Sequence, residues 1–191
     1  MGELQQDDET DYSDELIVSQ IISGQKDLFR LLIRAHEKAV YGMGISFFRN
    51  SDDARDFTQD VFLKAYKSLS GFEGRSRFST WLYKIAYNTA LNEVTRRKEY
   101  HSLAEDDADK IAYNGDTPER IALRSAAKEA VRAAVKQLPE RYRICIDLFF
   151  FYDRSYQEIE AITGIPVNTV KSHVFRAKII LKEKLENLAV N

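Results

Sequence analysis

The chain has 191 residues, 44% of them hydrophobic, and a net charge of −2 at pH 7. That length suits one large or two small domains, with enough apolar content for a core in each. Scarce proline and glycine disfavour a turn-rich β fold, a single cysteine excludes an internal disulfide or a cysteine metal cluster, and the longest apolar run, Ala39 to Phe48, is too short to cross a membrane. The N-terminus is acidic (Glu3, Asp7, Asp8, Glu9, Asp11) where a secretory leader would be basic, so a cytoplasmic location is expected.

Ser13 is placed to cap a first helix that stops at Gly24. Leu28, Leu31, Leu32, Ala35, Ala39, Val40 and Met43 then recur at helical spacing, and this second helix runs to Phe48. Ser51, followed by Asp52 and Asp53, opens a third, because acids favour the positive end of the helix dipole. Its apolar face is Phe57, Val61, Phe62, Ala65, Tyr66 and Leu69. A loop at Ser70 to Gly74 precedes a helix from Phe78 to Lys98. Tyr100 to Asp116 lacks a sustained period and reads as a linker. Thr117-Pro118 starts a helix that ends near Gln137, and Leu138-Pro139-Glu140 opens another that ends near Tyr152. Ser155 and Glu158 have capping-box spacing, Gly164 ends that short helix, and a last helix runs from Val167 to Leu188. The expected fold is all-α: two small helical domains joined by a flexible linker.

Charge is distributed unevenly. Arg75, Arg77, Lys84, Arg96, Arg97 and Lys98 form one basic stretch, and Lys171, Arg176, Lys178 and Lys182 form a second. Between them lie Glu105, Asp106, Asp107, Asp109 and Asp116. Two basic regions around an acidic linker suggest two nucleic-acid contacts. Ordinary solvated helix faces would give the same charges. The segment from Ser155 to Lys182 sharpens the choice, because a short helix, a glycine turn and a cationic helix make the helix-turn-helix pattern. Its second helix would lie in the major groove, with Asn168, Thr169, Lys171, Ser172 and Arg176 suited to bases or phosphates. An antiparallel helix hairpin with a wet basic face is the alternative.

Several motifs in order carry a family resemblance. Leu138-Pro139-Glu140-Arg141, Ser155-Tyr156-Gln157-Glu158-Ile159 and Gly164 to Ser172 resemble region four of the bacterial sigma factors. Asp53 to Tyr66 resembles region 2.2, and Phe78 to Ala90 resembles regions 2.3 and 2.4. Nothing resembles region one or region three, which points to the extracytoplasmic-function group. The resemblance divides the chain into an acidic tail (1–13), a region-two domain (14–99), a linker (100–117) and a region-four domain (118–191).

The resemblance implies a factor that directs RNA polymerase to −35/−10 promoters and assists their melting, in a stress response. Asp53, Asp56, Gln59, Asp60 and Lys64 would meet the clamp helices of the beta-prime subunit, and region four the beta flap. Phe72 and Asn88 would hold a flipped −10 base, since such a base needs a wall and an amide reads its edge. Arg75, Arg77, Lys84, Arg96 and Arg97 would hold −10 phosphates. Trp81 is read as core, and Phe78 as either core or a stacking ring. Thr169, Lys171, Ser172, Phe175 and Arg176 would read the −35 duplex. His173 stands where the family often has arginine, so one phosphate contact is expected to weaken. Glu160 stands where the family has alanine packed at the helix crossing, so it must splay outward or spread the helices. The run Phe149 to Tyr152 is expected to be core plus one exposed ring. A cognate anti-sigma factor is a further expected partner. No cofactor or metal is expected, because His36, His101 and His173 have no ligand spacing, and no catalysis by the chain itself.

The two promoter elements would lie roughly 80 Å apart, for about 24 base pairs at about 3.4 Å each. The linker spans at most roughly 60 Å extended, and a relaxed coil of that length averages about 20–25 Å. The free protein is therefore not expected to hold promoter spacing by itself. A stand-alone helix-turn-helix regulator and a sigma-like decoy for an anti-sigma factor are the competing readings.

Overall fold

A computed structural model describes residues 13–101, 131, 133–135 and 137–189. The acidic tail, most of the linker and most of the helix expected after Thr117 lie outside the described residues. Among those described, all regular structure is helical.

The first domain is a bundle of α1 (Asp14–Ile22), α2 (Phe29–Phe48), α3 (Ser51–Ser68) and α4 (Phe78–His101). Ser13 caps α1, as its position suggests. Helix α3 starts at Ser51 as expected and is capped by Asn50, whose side-chain oxygen accepts from the N–H groups of Asp52 and Asp53 at 2.8 and 3.1 Å. Arg49 ends α2 in the left-handed region at φ 56, which turns the chain into that cap. Helix α4 runs three residues beyond Lys98.

Both first-turn acids of α1 bind other helices. Asp14 meets His36 Nε2 on α2 at 2.8 Å, and Glu15 accepts the N–H of Phe78, the first residue of α4, at 3.1 Å. The core is Leu32, Val40, Val61, Phe78, Leu82 and Ala86, all fully buried. Phe78 is therefore a core ring, and Trp81 packs partly buried against it and Phe72. Helices α2 and α3 approach closely at Gly44, where a Cβ would lie 3.0 Å from the Ala54 backbone and 2.8 Å from the Phe57 ring.

The second domain holds α5 (Glu140–Phe150), α6 (Tyr156–Thr163) and α7 (Val167–Ala189). Pro139 stands at the cap of α5, where a missing N–H costs nothing. This helix ends two residues before Tyr152, and it leaves two rings exposed, Phe150 at 55% and Phe151 at 53%, where one was expected. Ser155 and Glu158 form a reciprocal capping box, and Gly164 closes α6 at φ 74. Ile146, Leu148, Ile159, Ile162, Val170, Val174 and Ala177 make the core. No helix among the described residues is long and apolar enough to cross a membrane.

The two domains pack directly on each other, α4 and the C-terminal half of α2 against α5 and α6. Tyr152 lays its ring 5.5 Å from that of Tyr83 and aims its hydroxyl at the bare Cα of Gly42.

Candidate nucleic-acid interface

On the second domain, the surface of α7 is built for contact. Thr169, Lys171, Ser172, Phe175 and Arg176 are all exposed, Phe175 at 65%. They share one outward face because Val170, Val174 and Ala177 bury the opposite one. The Ser172 hydroxyl donates to the Asn168 carbonyl at 3.0 Å, which leaves its lone pairs outward. Arg176 reaches the Tyr142 hydroxyl at 3.4 Å. Lys171 lies over the Tyr156 ring, and Lys178 over Phe149 and Phe150.

His173 is turned away from this face. Its ring meets Tyr142 edge-on at 5.2 Å and its Nδ1 lies 3.7 Å from Cys145 Sγ. Burial, with Arg141 and Arg176 nearby, pushes its pKa below the usual histidine value. It is a neutral packing residue here. Glu160 splays outward, and its carboxylate accepts the N–H of Val167, the first residue of α7, at 3.1 Å. The departure from the family pattern is thus a cap for the recognition helix. Glu160→Ala should lower the domain's stability by about 0.5–2 kcal/mol, the usual worth of such a cap, and Glu160→Gln by less. Denaturant unfolding of the two variants distinguishes this from a crowded crossing, where alanine would stabilise.

On the first domain, Arg75, Arg77, Lys84, Asn88 and Arg96 are exposed. Arg75 pairs with Glu73, and Arg96 with Glu93 at 2.9 Å. Phe72 is partly buried, 5.3 Å from Trp81 and 6.0 Å from Phe78, so one edge is fixed by the core. Arg97 is placed differently from its neighbours. Its Nη1 and Nη2 donate to both carboxylate oxygens of Asp53 at 2.7 and 2.8 Å, and its Nε to Glu93 at 3.0 Å. The guanidinium also covers the Phe48 ring. These bonds hold the carboxyls of Asp53 and Glu93 below the usual acidic range. Two residues expected to face different partners are therefore bonded to each other.

The outer face of α3 carries exposed Asp56 and Gln59, with Asp60 paired to Lys64 at 2.7 Å. A cleft of about 290 Å³ runs between α3 and α4 beside Asp56, Asp60, Thr89 and Arg96. Leu63 is 52% exposed on this face and adds an apolar contact candidate to it. Its spacing of four from Gln59 is the only signal it gave.

A helix-turn-helix domain beside a four-helix bundle with a basic edge and an acidic helix face defines a two-domain transcription factor. The sigma-70 region 2 model matches residues 32–100, and the sigma-70 region 4 model residues 128–181. The chain is 34% identical over 187 residues to the RNA polymerase sigma-H factor of Pseudomonas aeruginosa, covering 94% of this chain and 97% of that one. It is also 34% identical to the ECF RNA polymerase sigma-E factor of Haemophilus influenzae, covering 92% and 97%. The sigma factor RpoE of Bartonella quintana, solved with the anti-sigma factor NepR, matches at TM-score 0.67 and 26% identity, over 83% of this chain and 96% of that one. CnrH, solved with the cytosolic domain of CnrY, shares the fold at TM-score 0.65 and 24% identity, over 91% and 97%. The chain belongs to the extracytoplasmic-function group of RNA polymerase sigma factors.

Proposed function

We propose that the exposed face of α3, from Asp56 through Gln59, Asp60, Leu63 and Lys64, binds the beta-prime clamp helices of core polymerase. Region four meets the beta flap, and an anti-sigma factor is the partner that silences the chain. Phe72 and Asn88 hold the flipped −10 base, while Arg75, Arg77, Lys84 and Arg96 hold phosphates. Thr169, Lys171, Ser172, Phe175 and Arg176 read the −35 element, with Arg176 worth about 1–3 kcal/mol of base discrimination if it grips a guanine. Arg97 and Asp53 act through each other: they fix the polymerase helix α3 against the DNA helix α4. The single observation behind this reading is the sigma-70 match in both domains, with a basic face exposed on each.

Run-off transcription with core polymerase on fragmented genomic DNA tests it. Discrete starts that require the chain and share a two-part upstream motif are expected. Tight duplex binding without starts would favour a stand-alone regulator, and neither would favour a decoy. The assignment of Arg97 has its own measurement in the salt dependence of binding to a single-stranded −10 oligonucleotide. Lys84→Gln should reduce the slope by about 0.7, one phosphate contact, while Arg97→Gln leaves it unchanged. An equal drop for both would make Arg97 a phosphate ligand.

A further inference from the structure

Of Thr169, Lys171, Ser172, Phe175 and Arg176, only Arg176 hydrogen-bonds a side chain of another helix among the described residues. Its Nη1 donates to the Tyr142 hydroxyl on α5 at 3.4 Å, across 34 residues of chain. That distance is beyond the usual range for such a bond, so the contact is a tether and not a lock.

Tyr142 is built as a fixed post. It is only 7% exposed, although Arg141 beside it and Arg176 both stand in solvent. Two neighbours hold its ring: the Arg141 guanidinium lies over it at 4.9 Å, and His173 meets it edge-on at 5.2 Å. His173 is itself seated against Cys145, which is fully buried. A ring so enclosed turns little, and its hydroxyl comes out at the edge of the exposed face of α7.

An exposed arginine has a long rotatable stem and loses much of that freedom when it grips a base. A partner that already holds one of its nitrogens removes part of this loss before DNA arrives. Only Nη1 is engaged among the described residues. Nε and Nη2 are left to offer the parallel pair of N–H groups that O6 and N7 of a guanine accept.

We infer that Tyr142 is a positioning residue for promoter recognition: its hydroxyl aims Arg176 at its base pair, so α5 sets part of the −35 specificity without touching a base. The inference deepens the reading of Arg176 given above and rests on it. Arg141 and His173 act at one remove, by keeping the ring in place.

Tyr142→Phe removes the hydroxyl and keeps the ring and both of its neighbours. The assay is binding of holoenzyme to linear duplexes that carry the upstream motif recovered by run-off transcription, each with one −35 base pair replaced. Arg176→Ala identifies the pair that Arg176 reads, as the one whose replacement ceases to matter. At that pair Tyr142→Phe should lower discrimination about two- to tenfold, the usual net worth of one hydrogen bond, with every other pair discriminated as in wild type. A loss spread evenly over all pairs would make Tyr142 a packing residue and overturn the proposal. Unchanged or sharper discrimination at the Arg176 pair would overturn it alone, making the tether a resting contact that Arg176 leaves on DNA. If Arg176→Ala relaxes no pair, or no starts are found at all, the reading of Arg176 fails and the proposal falls with it.

Discussion

Phe78→Ala should lower the unfolding free energy by about 3–5 kcal/mol, the range for emptying a buried aromatic site. Phe78 is fully buried, lies within 6.0 Å of the rings of His36, Phe72 and Trp81, and begins α4 with its N–H held by Glu15. The loss is a large part of the roughly 5–15 kcal/mol that holds a domain folded. Urea unfolding followed by circular dichroism measures it. Phe72→Ala should show the opposite balance. It sits at the edge of the same cluster with one side open, so stability falls less. Its binding to single-stranded −10 DNA should drop about tenfold, since stacking a base on a ring is worth about 1–3 kcal/mol. A Phe78→Ala variant of normal stability that lost single-strand binding would make Phe78 the stacking ring instead.

The second large effect concerns Asp147. Burial pushes its carboxyl up to about 6, against the Ser46 hydroxyl and the Arg143 charge, which act the other way. The folded state therefore favours the protonated acid. This stabilisation is complete below the unfolded value near 3.8 and is lost as pH rises through about 6. Asp53 and Glu93, held down by Arg97, have the reverse sign and lose their contribution as pH falls. A shift of this size is worth at most about 3 kcal/mol, reduced to about 1–2 because Asp147 is not wholly enclosed. Asp147→Asn keeps an oxygen for Ser46 and removes the charge, so it should raise the melting temperature at pH 7.5 and leave it unchanged at pH 4. Melting curves of both proteins across pH 4 to 8 give the difference directly. Tyr87 and Tyr152 also line the void at Asp147, but neither ionises in that range, since burial raises both. A constant difference at every pH would show that the acid is not titrating in the contact.

Short-range features of this fold were legible in the sequence. The capping box at Ser155, the stop at Gly164 and the apolar stripe of α7 depend on neighbours three or four residues away, and spacing alone places them. The start of α3 at Ser51 was legible from its two following acids, and Asn50, a good capping residue just before it, supplies the cap. The pairing of Arg97 with Asp53 was not legible. The two are 44 residues apart, each in a run of like charges that matched a different partner. The domain contact left still less trace. Ser46, Ser79, Thr80 and Arg154 are small or polar residues without a period, and the linker length limits only how far apart the domains can move. His173 was read by its neighbours on the recognition helix, yet its face of α7 belongs to α5.

Cys145 has a consequence for the chemistry of the whole chain. It is fully buried beneath α7, beside a histidine kept neutral, and its thiol is pushed up to about 11. At pH 7 only about one molecule in ten thousand carries the reactive thiolate. Thiol-directed reagents such as maleimide should therefore label Cys145 only slowly in the native fold. A thiol that becomes reactive to a labelling reagent would instead report that the recognition helix has lifted from α5.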